Sequence, residues 1–314
     1  MEHKSVLLEE SITMLDVKDD GLYVDCTLGR GGHSSAILKR CTHGHLYAFD
    51  LDQAAIAESS PILQKIGNNF TCIHQPFGNM KEVLDSYGIG RVDGIIMDLG
   101  VSSPQFDDTS RGFSYRHDAR LDMRMNQEQE LDACTVVNEY SQEDLMRILH
   151  DYGEEPFAGR IASKIVRERE RKPINTTLEL ADVIKTAVPA YVLKKKGHPA
   201  KQSFQAIRIE VNGELKQLEI ALQEGLRRLK PGGRMCVITF HSLEDRMVKQ
   251  TFRRAAVPQK HDRRLPVLGE EKLEYQLLNK KPITASEAEL AYNNRAHSAK
   301  LRGIKRIGDQ YENR

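Results

Sequence analysis

Leu22–Ser34 reads LYVDCTLGRGGHS. A short apolar run ends in an acid, turns through Gly29, Gly31 and Gly32, and passes into a segment of helical composition. A strand running into such a turn opens a βαβ unit. The glycines let a ligand approach the backbone, and the turn presents a helix N-terminus. Three further apolar runs follow: His45–Asp52 (HLYAFDLD), Phe70–Phe77 (FTCIHQPF) and Val92–Leu99 (VDGIIMDL). Runs this short, separated by helical-length segments, predict buried strands of a parallel sheet. Ser34–Arg40 and Ala54–Ile66 are placed to supply the crossover helices.

The rhythm breaks after Ser103. Asp107–Met125 is polar and dense in Asp and Arg. Helical signals come next. Ser141 with Asp144 marks a helix start, and Leu145, Ile148, Leu149 and Tyr152 follow at helical spacing. Ala158, Ile161, Ala162 and Ile165 repeat the pattern. Thr176 with Glu179 opens another helix carrying Leu180, Val183, Ile184 and Ala187. The block is expected to be a helical insertion. A single long helix is then expected along Ile207, Val211, Leu215, Leu218, Leu222, Leu226 and Leu229. Lys230-Pro231-Gly232-Gly233 stops it. Arg234–His241 reads as the fifth strand, Leu243–Phe252 as a helix, and Leu273–Asn279 with Lys300–Ile307 as a final strand pair. The expected division is 1–106 and 204–314 as two parts of one α/β domain, with 107–203 inserted as a substrate-recognition domain.

The chain has 314 residues, with 46 Lys plus Arg against 45 Asp plus Glu. A net charge of +1 excludes a supercharged basic tail and an acidic disordered protein. Cys26, Cys41, Cys72, Cys134 and Cys236 are odd in number and lack Cys-x-x-Cys spacing, so a reducing cytoplasm is expected rather than a disulfide scaffold. The N-terminus lacks a signal-peptide apolar core, and no apolar run approaches a membrane span. Cys41/His43 and Cys72/His74 are isolated pairs, so no metal is expected.

The chemistry-bearing residues gather at the ends of the expected strands. The glycine turn, with Gly31 and Gly32, admits a ligand to the backbone. The absence of Gly-Lys-Ser/Thr excludes a phosphate-cradling P-loop. Asp50, at the end of the second run, stands where a carboxylate accepts ribose hydroxyls. Turn and acid together indicate a nucleoside crevice without separating a nicotinamide cofactor from S-adenosylmethionine. Asp98, ending the fourth run, faces the same crevice. It suits a hydrogen-bond acceptor for an exocyclic amine in methyl transfer, although a turn Asp there is ordinary. Arg111–Arg116 (RGFSYR) and Asp118–Met125 (DARLDMRM) read either as a salt-bridged loop or as phosphate and base contacts. Basic clusters at Arg246–Arg264, Lys194–Lys196 with Lys201, and Lys300–Arg306 are expected to give an RNA-binding surface.

Asp25–Ser34 (DCTLGRGGHS), Asp98–Asp107 (DLGVSSPQFD), Arg111–Arg116, Leu121–Met125 (LDMRM), Tyr152–Glu155 (YGEE), His198–Leu215 (HPAKQSFQAIRIEVNGEL) and Thr239–Arg246 (TFHSLEDR) resemble the ribosomal RNA small subunit methyltransferase H family, also called MraW. The resemblance runs nearly end to end. It implies a class I S-adenosylmethionine-dependent methyltransferase fold: a Rossmann-like, seven-stranded sheet with its last strand antiparallel and an inserted helical domain. It implies N4-methylation of one decoding-site cytidine of 16S rRNA, with the small ribosomal subunit as partner, in the cytoplasm, as a monomer or homodimer. It places Gly31, Gly32, His33, Asp50, Phe77, Asp98 and Gln105 around the donor, and Asp98 as the catalytic candidate. Phe77, Gln105 and His33 enter by resemblance alone. The chain departs from the family pattern near its C-terminus, where Asn294 replaces a Pro and His297 an Arg. Two rival readings are a nicotinamide-dependent oxidoreductase, disfavoured by Ser34 in place of a third fingerprint glycine, and a non-catalytic RNA-binding factor.

Overall fold

The computed structural model describes residues 5–102, 105–106, 108–258 and 273–308. They form two compact units, the described residues of 1–100 with those of 215–314, and the described residues of 101–214.

The first unit is a seven-stranded sheet in the order β3-β2-β1-β4-β5-β7-β6. Its strands are β1 Leu22–Asp25, β2 His45–Asp50, β3 Phe70–His74, β4 Val92–Asp98, β5 Leu229–Thr239, β6 Tyr275–Leu277 and β7 Lys300–Arg306. β1 to β5 are mutually parallel, and β7 runs antiparallel to β5 and β6. All four apolar runs at the N-terminal end are therefore strands. Both faces of the sheet are covered, which is why these strands read as continuous apolar runs rather than alternating ones. Val24, Phe49, Met97 and Val237 enter one core with α4 (Met80–Ser86), Leu218 and Leu222 of a later helix, and Phe252. Tyr23, Leu46, Ala48, Ile96 and Ile238 enter the other, with α1 (Leu8–Leu15), α2 (Gly32–Leu38) and α3 (Gln53–Gln64).

The second unit is helical: α5 Ala133–Glu139, α6 Gln142–Asp151, α7 Ala158–Arg169, α8 Thr177–Ala187, α9 Ala190–Leu193 and α10 Lys201–Asn212. Ser141 caps α6 by accepting the Asp144 N–H at 3.0 Å. Thr176 and Glu179 form a reciprocal capping box on α8. Leu145, Ile148, Ile161, Ile165, Leu180 and Ile184 have no accessible surface and form the centre of its core.

The single long helix expected across Ile207–Leu229 is two helices. α10 ends at Asn212, Gly213 adopts φ 59°, and α11 (Glu214–Arg228) begins there. The apolar spacing runs through the break because each half needs its own buried face. Only the left-handed residue, easy for glycine, marks the end. The expected boundaries move outward for the same reason. α10 packs on α5 and α6, with Phe204, Ile207 and Val211 in the helical core, so residues 204–214 group with that core rather than with the sheet. After α11, Lys230–Gly233 forms an irregularity inside β5, where the register against β4 jumps from Val92–Leu229 to Gly94–Arg234. α12 (Ser242–Ala256) follows, then α13 (Glu287–Tyr292). No helix among the described residues is long and apolar enough to cross a membrane.

Candidate functional site

The sheet order reverses between β1 and β4, so the crevice at their carboxyl ends is the natural ligand position. Three acids stand at this edge, Asp25, Asp50 and Asp98, each the last residue of its strand.

Asp25 is buried and serves the turn. Its Oδ2 accepts the Ser34 hydroxyl at 2.6 Å, and its Oδ1 accepts the Thr27 N–H at 3.0 Å. Burial pushes its carboxyl up, and these hydrogen bonds oppose the shift. Ser34, which sits at the third fingerprint position, is thus the clamp that ties α2 to the end of β1. Thr27 also accepts the Asp98 N–H at 2.6 Å, linking the ends of β1 and β4. Gly31 is left-handed at φ 72° and opens α2, with Gly32 and His33 in its first turn.

Asp50 Oδ2 accepts the Gly29 N–H and Oδ1 accepts the Asp52 N–H, both at 2.8 Å. Burial raises its carboxyl to about 6, against the pull of these two hydrogen bonds. Asp52 caps α3 through the Ala54 N–H. Phe77 begins a short 3-10 turn after β3 and is half-buried against the core below.

Asp98 is strongly perturbed. Burial pushes its carboxyl up to about 7; Arg295 opposes the shift, and Asp25, Glu244 and Glu289 add to it. Its side chain is 24% exposed, yet Oδ1 is fully enclosed and has no hydrogen-bond partner among the described residues. His33 Nδ1 lies 3.7 Å from Oδ2. Burial lowers His33 to about 4, so it stands neutral beside the acid.

The structure thus brings Gly31, Gly32, His33, Asp50, Phe77 and Asp98 into the sheet unit, at or next to one edge of the sheet. Gln105 belongs to the helical unit, where its Oε1 accepts the Ser102 N–H at 3.0 Å. Sequence reasoning missed two residues. Phe240 follows β5, and a Cβ on Gly100 would stand 3.3 Å from its ring, so Gly100 (φ 97°) admits the aromatic beside the end of β4. Glu244, buried in α12, fixes this turn by accepting the N–H groups of Phe240 and His241 at 2.8 and 3.3 Å. An aromatic and an acid spaced four apart after an apolar run were the available signal.

Of the two readings of Arg111–Arg116 and Asp118–Met125, the pairing at Arg111 and Arg124 supports the salt-bridged loop. Arg111 is buried and donates through Nη2 to the carbonyls of Arg124 and Met125 at 2.9 and 3.0 Å. Asp122 holds Arg124 through both its oxygens, at 2.9 and 2.7 Å, while Leu121 and Met123 are fully buried. The mixed-charge segment is therefore a salt-bridged scaffold of the helical unit. In the third basic cluster, Arg302 is bound by Asp245 and Arg306 donates to the carbonyls of Arg227 and Leu229. Lys260, Arg263 and Arg264 lie outside the described residues.

Residues 1–307 match the MraW methylase family. The chain is 52% identical over 310 residues to the ribosomal RNA small subunit methyltransferase H of Limosilactobacillus fermentum, covering 97% of this chain and 98% of that one. Proteins of the same name from Leuconostoc mesenteroides and Exiguobacterium sibiricum are 52% and 51% identical, over 97% and 98% of this chain and 99% and 98% of theirs.

Proposed function

The chain belongs to the MraW methylase family, and from that premise we propose that it catalyses S-adenosylmethionine-dependent N4-methylation of cytidine 1402 of 16S rRNA. The observation that carries this reading is Asp98: a partly exposed carboxyl at the end of β4 beside the switch point, with an affinity for protons raised by burial. An amine N–H is a group that an ionised carboxylate accepts.

The residues at the strand ends fit an adenosyl sulfonium. The donor is cationic, and three acids line the edge that would receive it. When bound, it supplies an electrophilic methyl group. Asp50 holds the turn and offers its remaining lone pairs to ribose hydroxyls. Gly31, Gly32 and His33 form the backbone wall, and Phe77 offers a face to adenine. Gln105 joins the set on the family resemblance. The exposed part of the Asp98 carboxylate accepts a hydrogen bond from the cytosine N4 amine, which aligns the nitrogen and raises its electron density for displacement at carbon. His33, neutral at physiological pH, places no positive charge beside Asp98. Phe240 offers an apolar face for the extruded base.

The test is methylation of undermethylated small subunits and of naked 16S rRNA with labelled donor, read by nucleoside mass spectrometry. N4-methylcytidine is the expected product. Donor binding without incorporation into either substrate refutes the reading.

A further inference from the structure

Between α12 and the β6–β7 edge lies a cavity of about 300 Å³. Phe252 and Leu277 give it an apolar floor, and Lys249, Arg253, Lys280 and Arg302 stand around it. Lys249 and Arg253 are four residues apart on α12 and so share a helix face. Lys249, Arg253 and Lys280 are exposed, and none has an ion-pair or hydrogen-bond partner among the described residues. Arg302 is different. It is buried, and Nε and Nη2 are held on Asp245 at 2.7 and 3.3 Å, which fixes its guanidinium at the cavity wall. No acid is among the described residues lining the cavity.

Three like charges gathered without a counter-charge among the described residues repel one another, so an anionic partner relieves that cost. The apolar floor suits a partner that brings sugar or base along with its charge. Arg302 pairs across the sheet with Val237, which pairs with Met97, the neighbour of Asp98. Two inter-strand steps are roughly 10 Å, so one nucleic-acid strand reaches both places. We infer that this basic cavity is a second RNA-contact site, which grips backbone phosphates of the strand that carries the target cytidine. The inference rests on the RNA reading above. Contacts of this kind set position and register rather than sequence.

The test is the Lys249→Ala/Arg253→Ala/Lys280→Ala protein, with naked 16S rRNA as probe, between 50 and 200 mM salt. Three phosphate contacts on a single strand contribute a slope of about −2 in log affinity against log salt, so the unaltered protein should lose affinity roughly 20-fold more than the variant over this range. Calorimetric titration with S-adenosylmethionine should be unchanged and reports that the variant is folded. Lys249→Glu alone, a milder change in fold, should flatten the slope by about 0.7 or more. Equal slopes, with the unaltered protein binding and methylating RNA, overturn this inference and leave the methyltransferase reading intact. RNA binding with the expected slope change but no methyl product supports the site and refutes that reading. Lost affinity for the small subunit alone, with naked RNA unaffected, assigns the face to an acidic protein and overturns the inference. Absence of any RNA binding by the unaltered protein also overturns it.

Discussion

If Asp98 accepts the amine hydrogen, only its ionised form works, and its raised proton affinity becomes a rate profile. With a carboxyl at about 7, the ionised fraction is about 0.1 at pH 6 and about 0.9 at pH 8. kcat/KM for the donor should therefore rise about tenfold across that interval. An acid at the ordinary 3.8 would be ionised throughout and give a flat profile. The same shift has a sign for stability. The folded value lies above the unfolded one, so the proton stabilises the fold. That contribution is fully present below pH 3.8 and is lost as pH rises through about 7. Its upper bound is roughly 4 kcal/mol, and the quarter exposure of the side chain reduces it. Asp98→Asn, a neutral isostere, should abolish methyl transfer while raising stability at pH 8 by about 1–4 kcal/mol and at pH 5 by roughly 40% of that. Methyl-transfer kinetics and urea denaturation at the two pH values measure both. A flat kcat/KM profile, or an Asn variant less stable at pH 8, refutes the reasoning.

Asp50→Ala removes the acceptor of two backbone N–H groups and of the ribose hydroxyls, and should weaken donor affinity roughly 10- to 100-fold by calorimetry; unchanged affinity removes Asp50 from the donor site. Arg111→Ala should cost about 2–3 kcal/mol in urea denaturation, because two buried carbonyls lose a charged donor; a stable variant with weakened RNA binding would restore its role as an RNA contact. Gly213→Ala should cost about 1–2 kcal/mol from left-handed backbone strain alone, since no atom lies within 4 Å of the added Cβ; a neutral or stabilising effect would show that the helix break does not need glycine.

The strand runs and the acids that end them were legible in the sequence because local chemistry specifies them. A strand covered on both faces must be apolar throughout, and a crevice at its carboxyl end must bring its polar groups at the last residue. Leu22–Asp25, His45–Asp50 and Val92–Asp98 meet both conditions within a few residues. The caps at Ser141 and Thr176 were equally legible, since both partners lie within one turn. What failed to show was whatever depends on distant partners. Arg111 and Arg302 have the composition of phosphate contacts. Their fate was decided by carbonyls thirteen and fourteen residues away and by a carboxylate fifty-seven away.

The sequence by itself therefore determined the order of the strands, the helical character of the segment from Ser141 to Ala187, and the acids that end β1, β2 and β4, because periodicity and turn chemistry are local. Only the tertiary structure decided which charges are free. Burial and pairing set the raised carboxyl of Asp98, the neutrality of His33, the clamp of Ser34 on Asp25 and the cations by α12 that lack a counter-charge among the described residues. Desolvation and counter-charge are properties of surroundings assembled from remote segments, and no local spacing encodes them.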